Sequence, residues 1–146
     1  MSLWRAEIER YLDDPRCPGT LTLYRAEEVV YTFDVYTDSG GPPDPTAYGG
    51  PTPPLTWQMV ERIDLHYGRS QEFPHARIVP VDLDDAKARF PRRTFEGPDF
   101  FMTHFMGRST GCFGPWEREQ WGDYVDGMNA AFDEGGPFPI AVVEMF

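Results

Sequence analysis

The sequence is poor in basic residues, in cysteine and in long apolar runs. Its 146 residues include 13 Lys and Arg against 24 Asp and Glu, which gives a formal net charge of -11. Nucleic acids and anionic membrane surfaces are bound through clustered cations, so we expect neither as a partner. No apolar run is long enough to cross a membrane. Aromatic residues make up 15% of the chain, which is typical of one folded globular domain.

Cysteine and histidine are also scarce. The two cysteines, Cys17 and Cys112, lie far apart, and with only three histidines the sequence predicts no zinc cluster. Whether the two cysteines form a disulfide stays open at this point. A disulfide would remove the free thiol that a nucleophile needs. The first twenty residues carry charges throughout and lack the apolar segment of a signal peptide, which predicts a cytoplasmic protein as synthesised.

The residue pattern predicts a mainly β domain (β-rich α+β) with a few short helices. Apolar residues at 3–13 follow a helical spacing, so residues 1–18 are interpreted as an N-terminal helical segment and 19–146 as the main domain. From residue 20 the pattern alternates, which predicts a β-hairpin with its turn at 26–28. Ten of the seventeen residues from 38 to 54 are Gly or Pro, which predicts an irregular surface loop.

Shorter strands and one clear helix are predicted in the second half. Strands are expected at 57–67, 78–81, 99–106 and 138–146, although part of the first run would also suit a helix. The residue pattern over 84–90 predicts a helical turn. Gly114 and Pro115 stand where the N-cap and first residue of the late helix belong, and its apolar spacing continues to Phe132.

The segment from 100 to 116, FFMTHFMGRSTGCFGPW, carries the candidate chemistry. His104 lies on a predicted strand. Cys112 follows a Gly-containing turn and directly precedes the predicted helix. The helix dipole, the imidazole and Arg108 would each favour a reactive thiolate. The candidate oxyanion-hole donors are the backbone N–H groups of Ser109, Thr110, Gly111 and Cys112. The same pattern is also typical of a core histidine beside an inert buried cysteine.

This segment resembles the L,D-transpeptidase catalytic domain, whose motif is a His followed by Ser-x-Gly-Cys. Here the motif is His104 followed by Ser-Thr-Gly-Cys at 109–112. Three further stretches are similar to parts of that family, so the resemblance covers 19–146: LTLYRAEEVVYTFDVYTD at 21–38, GGPTPP at 49–54 and FPIAVV at 138–143. It implies an L,D-transpeptidase-like β-sandwich with a few short helices and with no metal or cofactor.

The resemblance implies acyl transfer on peptidoglycan stem peptides through a thioester on Cys112, with His104 as the base. Phe105 is the residue whose carbonyl would orient the imidazole. The motif positions that would shape the turn and the oxyanion site are Ser109, Thr110 and Gly111. Transfer, hydrolysis and exchange of the terminal D-amino acid share one thioester intermediate, so all three stay open.

The motif departs from the family pattern at four positions. The family commonly has Gly after the His and a second His before Gly-Cys, where this chain has Phe105 and Thr110. After the Cys the family commonly has an aliphatic residue and then Arg, where this chain has Phe113 and Gly114. Arg108 is the candidate to bind the substrate carboxylate in place of the missing Arg. The short spacing resembles compact antibacterial effectors of type VI secretion, which implies action in the periplasm or cell wall after non-Sec delivery and a cognate immunity protein as partner.

Two other function classes stay open. Cysteine hydrolases of the papain and cell-wall amidase types place Cys before His, the opposite of the order here, and are disfavoured. A non-enzymatic acidic binding protein, such as an immunity protein or an inhibitor of a basic partner, would also fit the charge. His66 and His75 are given no role, and Arg92–Arg93 is interpreted as a solvated pair.

Overall fold

A computed structural model describes residues 3–14, 16–37, 43–47, 50–64, 75–95, 101–104 and 112–145. Within these ranges the elements are β1 (Trp4–Arg10), β2 (Pro18–Arg25), β3 (Glu28–Tyr36), β4 (Thr56–Met59), β5 (His75–Pro80), α1 (Leu83–Arg89), β6 (Met102–His104), β7 (Gly114–Pro115), α2 (Arg118–Gly135) and β8 (Phe138–Glu144). The predicted mainly β class with few helices is confirmed.

The strands hydrogen-bond in one series, in the order β6-β5-β4-β8-β1-β2-β3-β7. β1 runs parallel to β8, and the other neighbouring strands are antiparallel. A parallel bridge between Thr103 of β6 and Phe113, just ahead of β7, joins the two ends of the series. The sheet therefore closes on itself, and the closure brings the strand that carries His104 beside the segment that carries Cys112.

The N-terminal residues form a strand, so the helix predicted over 3–13 is wrong. Trp4, Ala6 and Ile8 are buried while the residues between them are more exposed, which is the two-residue alternation of a strand. β1 pairs with β2 on one side and with β8 on the other. Its backbone groups are satisfied from both sides, and this pairing outweighs the helical spacing of a few apolar residues. Residues 4–10 thus lie within the same sheet as the strands of 19–146.

The predicted hairpin is confirmed as β2 and β3. Its two loop residues, Ala26 and Glu27, have φ of 51° and 64°, as a tight two-residue hairpin loop requires. The strand predicted over 138–146 is confirmed as β8, which ends at Glu144. The strand predicted over 57–67 is confirmed for Trp57 to Met59 and is wrong for residues 60–63, which form no strand, while residues 65–67 lie outside the described ranges. The described parts of the Gly- and Pro-rich loop, 43–47 and 50–54, contain neither helix nor strand.

The late helix begins further along the chain than predicted. Gly114 and Pro115 pair with Tyr36 and Val35 as strand β7, and Glu117 is the N-cap of α2. Their backbone groups are engaged by β3, so they are not available to start a helix. α2 then packs its buried face on the sheet, where Tyr124 meets the ring of Phe33 edge-on at 5.2 Å between centroids.

The short helix α1 has one side-chain cap that offers a test. The carboxylate of Asp82 accepts a hydrogen bond from the Asp85 N–H at 3.0 Å. Asp82→Ala should lower the free energy of unfolding by about 1 kcal/mol because that N–H loses its partner. Urea unfolding measures the change, with Asp84→Ala, an exposed aspartate in the first turn, as the matched control. Equal losses in the two variants would show that charge, and not capping, is responsible.

Candidate functional site

The closure of the sheet sets the relative positions of His104 and Cys112. The His104 N–H donates to the Phe113 carbonyl at 3.1 Å, and the Phe113 N–H donates to the Met102 carbonyl at 3.3 Å. Residues next to each other on a strand face opposite sides, and bridged residues of parallel strands face the same side. With Thr103 bridged to Phe113, this alternation assigns His104 and Cys112 to the other face of the two adjacent segments. Cys112 lies level with Met102 and His104 level with Gly114, so the two residues are diagonal neighbours.

Gly114 lies in close contact with the backbone of His104. A Cβ atom at residue 114 would lie 1.8 Å from the His104 carbonyl oxygen and 2.9 Å from the carbonyl carbon. Only glycine permits this approach of the two strands. The glycine found where the transpeptidase motif commonly has arginine therefore has a structural reason in this chain.

Cys112 is a largely buried cysteine that is not part of a disulfide. Cys17 is not part of one either, so the disulfide left open by the sequence is not formed. The Cys112 side chain is 8% exposed, and its Sγ accepts a hydrogen bond from the Met102 N–H at 3.4 Å. An N–H directed at sulfur stabilises negative charge there. The helix expected directly after Cys112 is not found, because β7 intervenes and α2 begins at Arg118, so the expected contribution of the helix dipole is lost.

His104 has a second histidine opposite it in the sheet. It is half-buried, and its partner on β5 is His75, which is 5% exposed. The backbone N–H and carbonyl of His75 bond to Asp64, on its other side. The two histidines therefore form a non-hydrogen-bonded pair, the kind in which facing side chains come closest. Sequence reasoning gave His75 no role, and it offered no signal for a pairing between segments so far apart.

Arg93 is buried, so its interpretation as half of a solvated pair is wrong. Its side chain is 7% exposed. One terminal nitrogen donates to the carbonyls of Pro45 and Pro51, at 2.8 and 2.7 Å. The other donates to the carbonyl of Gly50 at 2.9 Å. Arg93 therefore holds the described part of the Gly- and Pro-rich loop to the body of the domain.

The guanidinium of Arg93 also acts on Cys112. Burial, with the charge of Arg10 acting in the same direction, lowers the pKa of Arg93 to about 10. Cys112 and Asp44 oppose this effect and raise the pKa. The group still carries its charge at neutral pH, and Cys112 lies within electrostatic reach of it.

A second buried arginine lies near the other cysteine. Arg10 has 0% exposure and donates to Thr37 Oγ1 and to Glu144, both at 3.1 Å. Burial lowers the pKa of Arg10, while Glu144 and Cys17 raise it. Sequence reasoning missed Arg10 because residues 3–13 were interpreted as a helix. The inward alternation of β1 was the signal that could have found it.

Five predicted site residues fall outside the described ranges: Phe105, Arg108, Ser109, Thr110 and Gly111. Their assignments stay predictions.

In the part of the chain that the structure describes, no group of three or more His, Cys, Asp or Glu could hold a metal ion. Among the same residues, no helix combines the length and the apolar character needed to cross a membrane.

The chain was also compared with known proteins. No family model, curated protein or solved structure matches it. The chemistry of the site is therefore inferred from the residues that the fold brings together, which are Cys112, His104 and Arg93.

Proposed function

We propose that this protein is an L,D-transpeptidase-like cysteine acyltransferase or peptidase that acts on peptidoglycan stem peptides, with Cys112 as nucleophile and His104 as base. The observation that carries the proposal is the parallel register of β6 with residues 112–114, which puts both residues on one face of adjacent strands. The Met102 N–H and the Arg93 charge support it, because each favours a thiolate over a thiol.

The proposed reaction has two steps. The Cys112 thiol gives its proton to His104, and the sulfur attacks the carbonyl carbon that precedes the terminal D-amino acid. The peptide C–N bond breaks, the amine leaves with the proton from the imidazolium, and a thioester remains. In the second step an acceptor amine, a water molecule or a free D-amino acid attacks the thioester. His104 takes the acceptor's proton, and the Cys112 sulfur is released.

The substrate also defines where the protein would act. Stem peptides lie outside the cytoplasm, so the proposal includes delivery to the periplasm by a route other than Sec, as in the type VI effectors that the motif resembles. An enzyme of this kind endangers the cell that makes it. A cognate immunity protein is the partner that this proposal implies.

Product masses after incubation with purified tetrapeptide muropeptides test the proposal. The wild-type protein should remove or exchange the terminal D-Ala, and Cys112→Ala should leave the substrate unchanged because it has no nucleophile. His104→Gln should slow turnover by about 10² to 10⁴-fold, the range for loss of a general base. Cys17→Ala, at the other buried cysteine, is the matched control and should keep activity. Unchanged substrate with folded wild-type protein would contradict the proposal.

One observation favours a second candidate, an acidic binding protein. Val29, Val30 and Tyr31 on β3 are 61%, 41% and 38% exposed, in a chain with a net charge of -11. Exposed apolar side chains on an acidic protein fit a docking site for a basic partner. Failure of the muropeptide assay, together with a Cys112 that reacts with iodoacetamide only after unfolding, would favour this function instead.

A further inference from the structure

Arg93 connects the Gly- and Pro-rich loop to the strand that contacts the Cys112 sulfur. We propose that Arg93 is a positioning residue for the nucleophile, whose guanidinium supplies the positive charge that keeps Cys112 as a thiolate. This inference rests on the proposed function, which it deepens by naming the group that activates the cysteine. The sequence motif offered Arg108 for positive charge near the site, and Arg93 lies outside the motif altogether.

A chain of contacts links the guanidinium to the sulfur. The central carbon of the guanidinium lies 5.2 Å from the centroid of the Phe101 ring. Phe101 is 5% exposed and directly precedes Met102, whose N–H donates to the Cys112 Sγ at 3.4 Å. The guanidinium thus packs on the residue next to the N–H donor, and its charge acts on Cys112.

The position of the charge is set by backbone atoms. Arg93 donates to three carbonyls, those of Pro45, Gly50 and Pro51, at distances of 2.7 to 2.9 Å. A planar guanidinium bound in this way keeps one orientation, whereas a lysine ammonium would be free to rotate. Burial removes water that would screen the charge, so its effect on a neighbouring sulfur is stronger than at the surface.

Other titratable and charged groups surround Arg93 and Cys112. Arg10 is a second buried cation near Arg93, and Asp44 is an exposed anion near it. Among the described residues, further such groups are Glu144 and Cys17 beside Arg10, His104 on the face assigned to Cys112, and His75 opposite His104. Arg10 stays in place when Arg93 is changed, so we expect a partial loss of thiolate stabilisation.

The test is the pH dependence of Cys112 alkylation by iodoacetamide. The mass of the peptide that contains Cys112 is followed, so that Cys17 does not interfere. Arg93→Met should raise the midpoint of the pH profile by about one unit, which lowers the rate below the midpoint about tenfold. Arg93→Lys retains a positive charge and should restore most of the wild-type midpoint. Arg92→Met, at the exposed neighbouring arginine, should leave the midpoint unchanged.

The midpoint separates an electrostatic role from a structural one. A variant that only loosens the loop would change the plateau rate and not the midpoint, and this result would overturn the inference. An unchanged profile in Arg93→Met would overturn it as well. If that variant does not fold, Arg93→Gln replaces it as the neutral form, because it keeps an N–H donor for the carbonyls. Melting temperature is measured for every variant to establish that it is folded.

The alkylation and muropeptide experiments distinguish the role of Arg93 from the proposed function. If the midpoint shifts in Arg93→Met but the wild-type protein leaves muropeptides unchanged, Arg93 activates Cys112 and the substrate is wrong. If muropeptides are turned over but the midpoint does not shift, the function stands and Arg93 is structural. If Cys112 is not alkylated in the folded wild-type protein at any pH, both are overturned.

Discussion

Gly114→Ala should destabilise the protein by about 3 kcal/mol, a large value for overpacking, and disturb the His104 and Cys112 pair. The new methyl group would lie 1.8 Å from the His104 carbonyl oxygen and 3.3 Å from its backbone nitrogen. These are backbone atoms, so no side-chain rotation relieves the contact. β6 and β7 would have to separate, and the bridge that closes the sheet would open. Guanidinium chloride unfolding measures the loss.

A second glycine provides the control for this substitution. A Cβ atom at Gly122, on the exposed side of α2, would meet nothing within 4 Å. Gly122→Ala should therefore stabilise the protein by about 0.5 to 1 kcal/mol, since alanine loses less backbone entropy in a helix. If Gly114→Ala were as stable as the wild-type protein, the close approach of the two strands would be incorrect, and with it the placement of His104 beside Cys112.

Trp57→Ala should lower the free energy of unfolding by about 4 kcal/mol. Trp57 has 0% exposure, and its ring centroid lies 4.8 Å from that of Phe101 and 5.9 Å from that of Phe95. Its indole N–H also donates to the Pro53 carbonyl at 3.0 Å. The substitution leaves a large cavity and removes the donor from a loop carbonyl. Domains are commonly stable by about 5 to 15 kcal/mol, so this loss is a large fraction of the whole.

Trp116 is the matched control for Trp57. It is 37% exposed and stacks on Tyr36 with 5.1 Å between ring centroids. Trp116→Ala should lower the free energy of unfolding by about 1 kcal/mol, because water can fill the vacated space and only one aromatic contact is lost. Comparable losses at the two positions would contradict a core built around β4, Phe95 and Phe101.

The local charge at the site opposes the charge of the whole protein. The net charge of -11 disfavours an anionic sulfur at long range. Interactions between distant exposed charges are screened by salt, whereas buried charges at short range are screened far less. Arg93 and Arg10 are both buried, at 7% and 0% exposure. A thiolate at Cys112 is therefore compatible with an acidic protein.

The local pattern of apolar residues was sufficient to predict part of the fold. The alternation at 29–36 predicted β3, and the apolar spacing at 121–132 predicted the body of α2. In both segments the residues that define the period are neighbours in the chain, so the pattern identifies the element. In β3 the burial follows the alternation only at Phe33 and Val35. The candidate pair His104 and Cys112 was also evident in the sequence, since both residues lie in one short motif.

The other parts of the fold and of the candidate site were decided only by the tertiary structure. Residues 4–10 became a strand because β2 and β8 pair with both of its edges, and Gly114 and Pro115 joined the sheet because β3 pairs with them. The burial of Arg93 depends on carbonyls of a loop more than forty residues earlier in the chain. Strand pairing and burial of this kind depend on contacts between distant segments, which a local residue pattern does not encode.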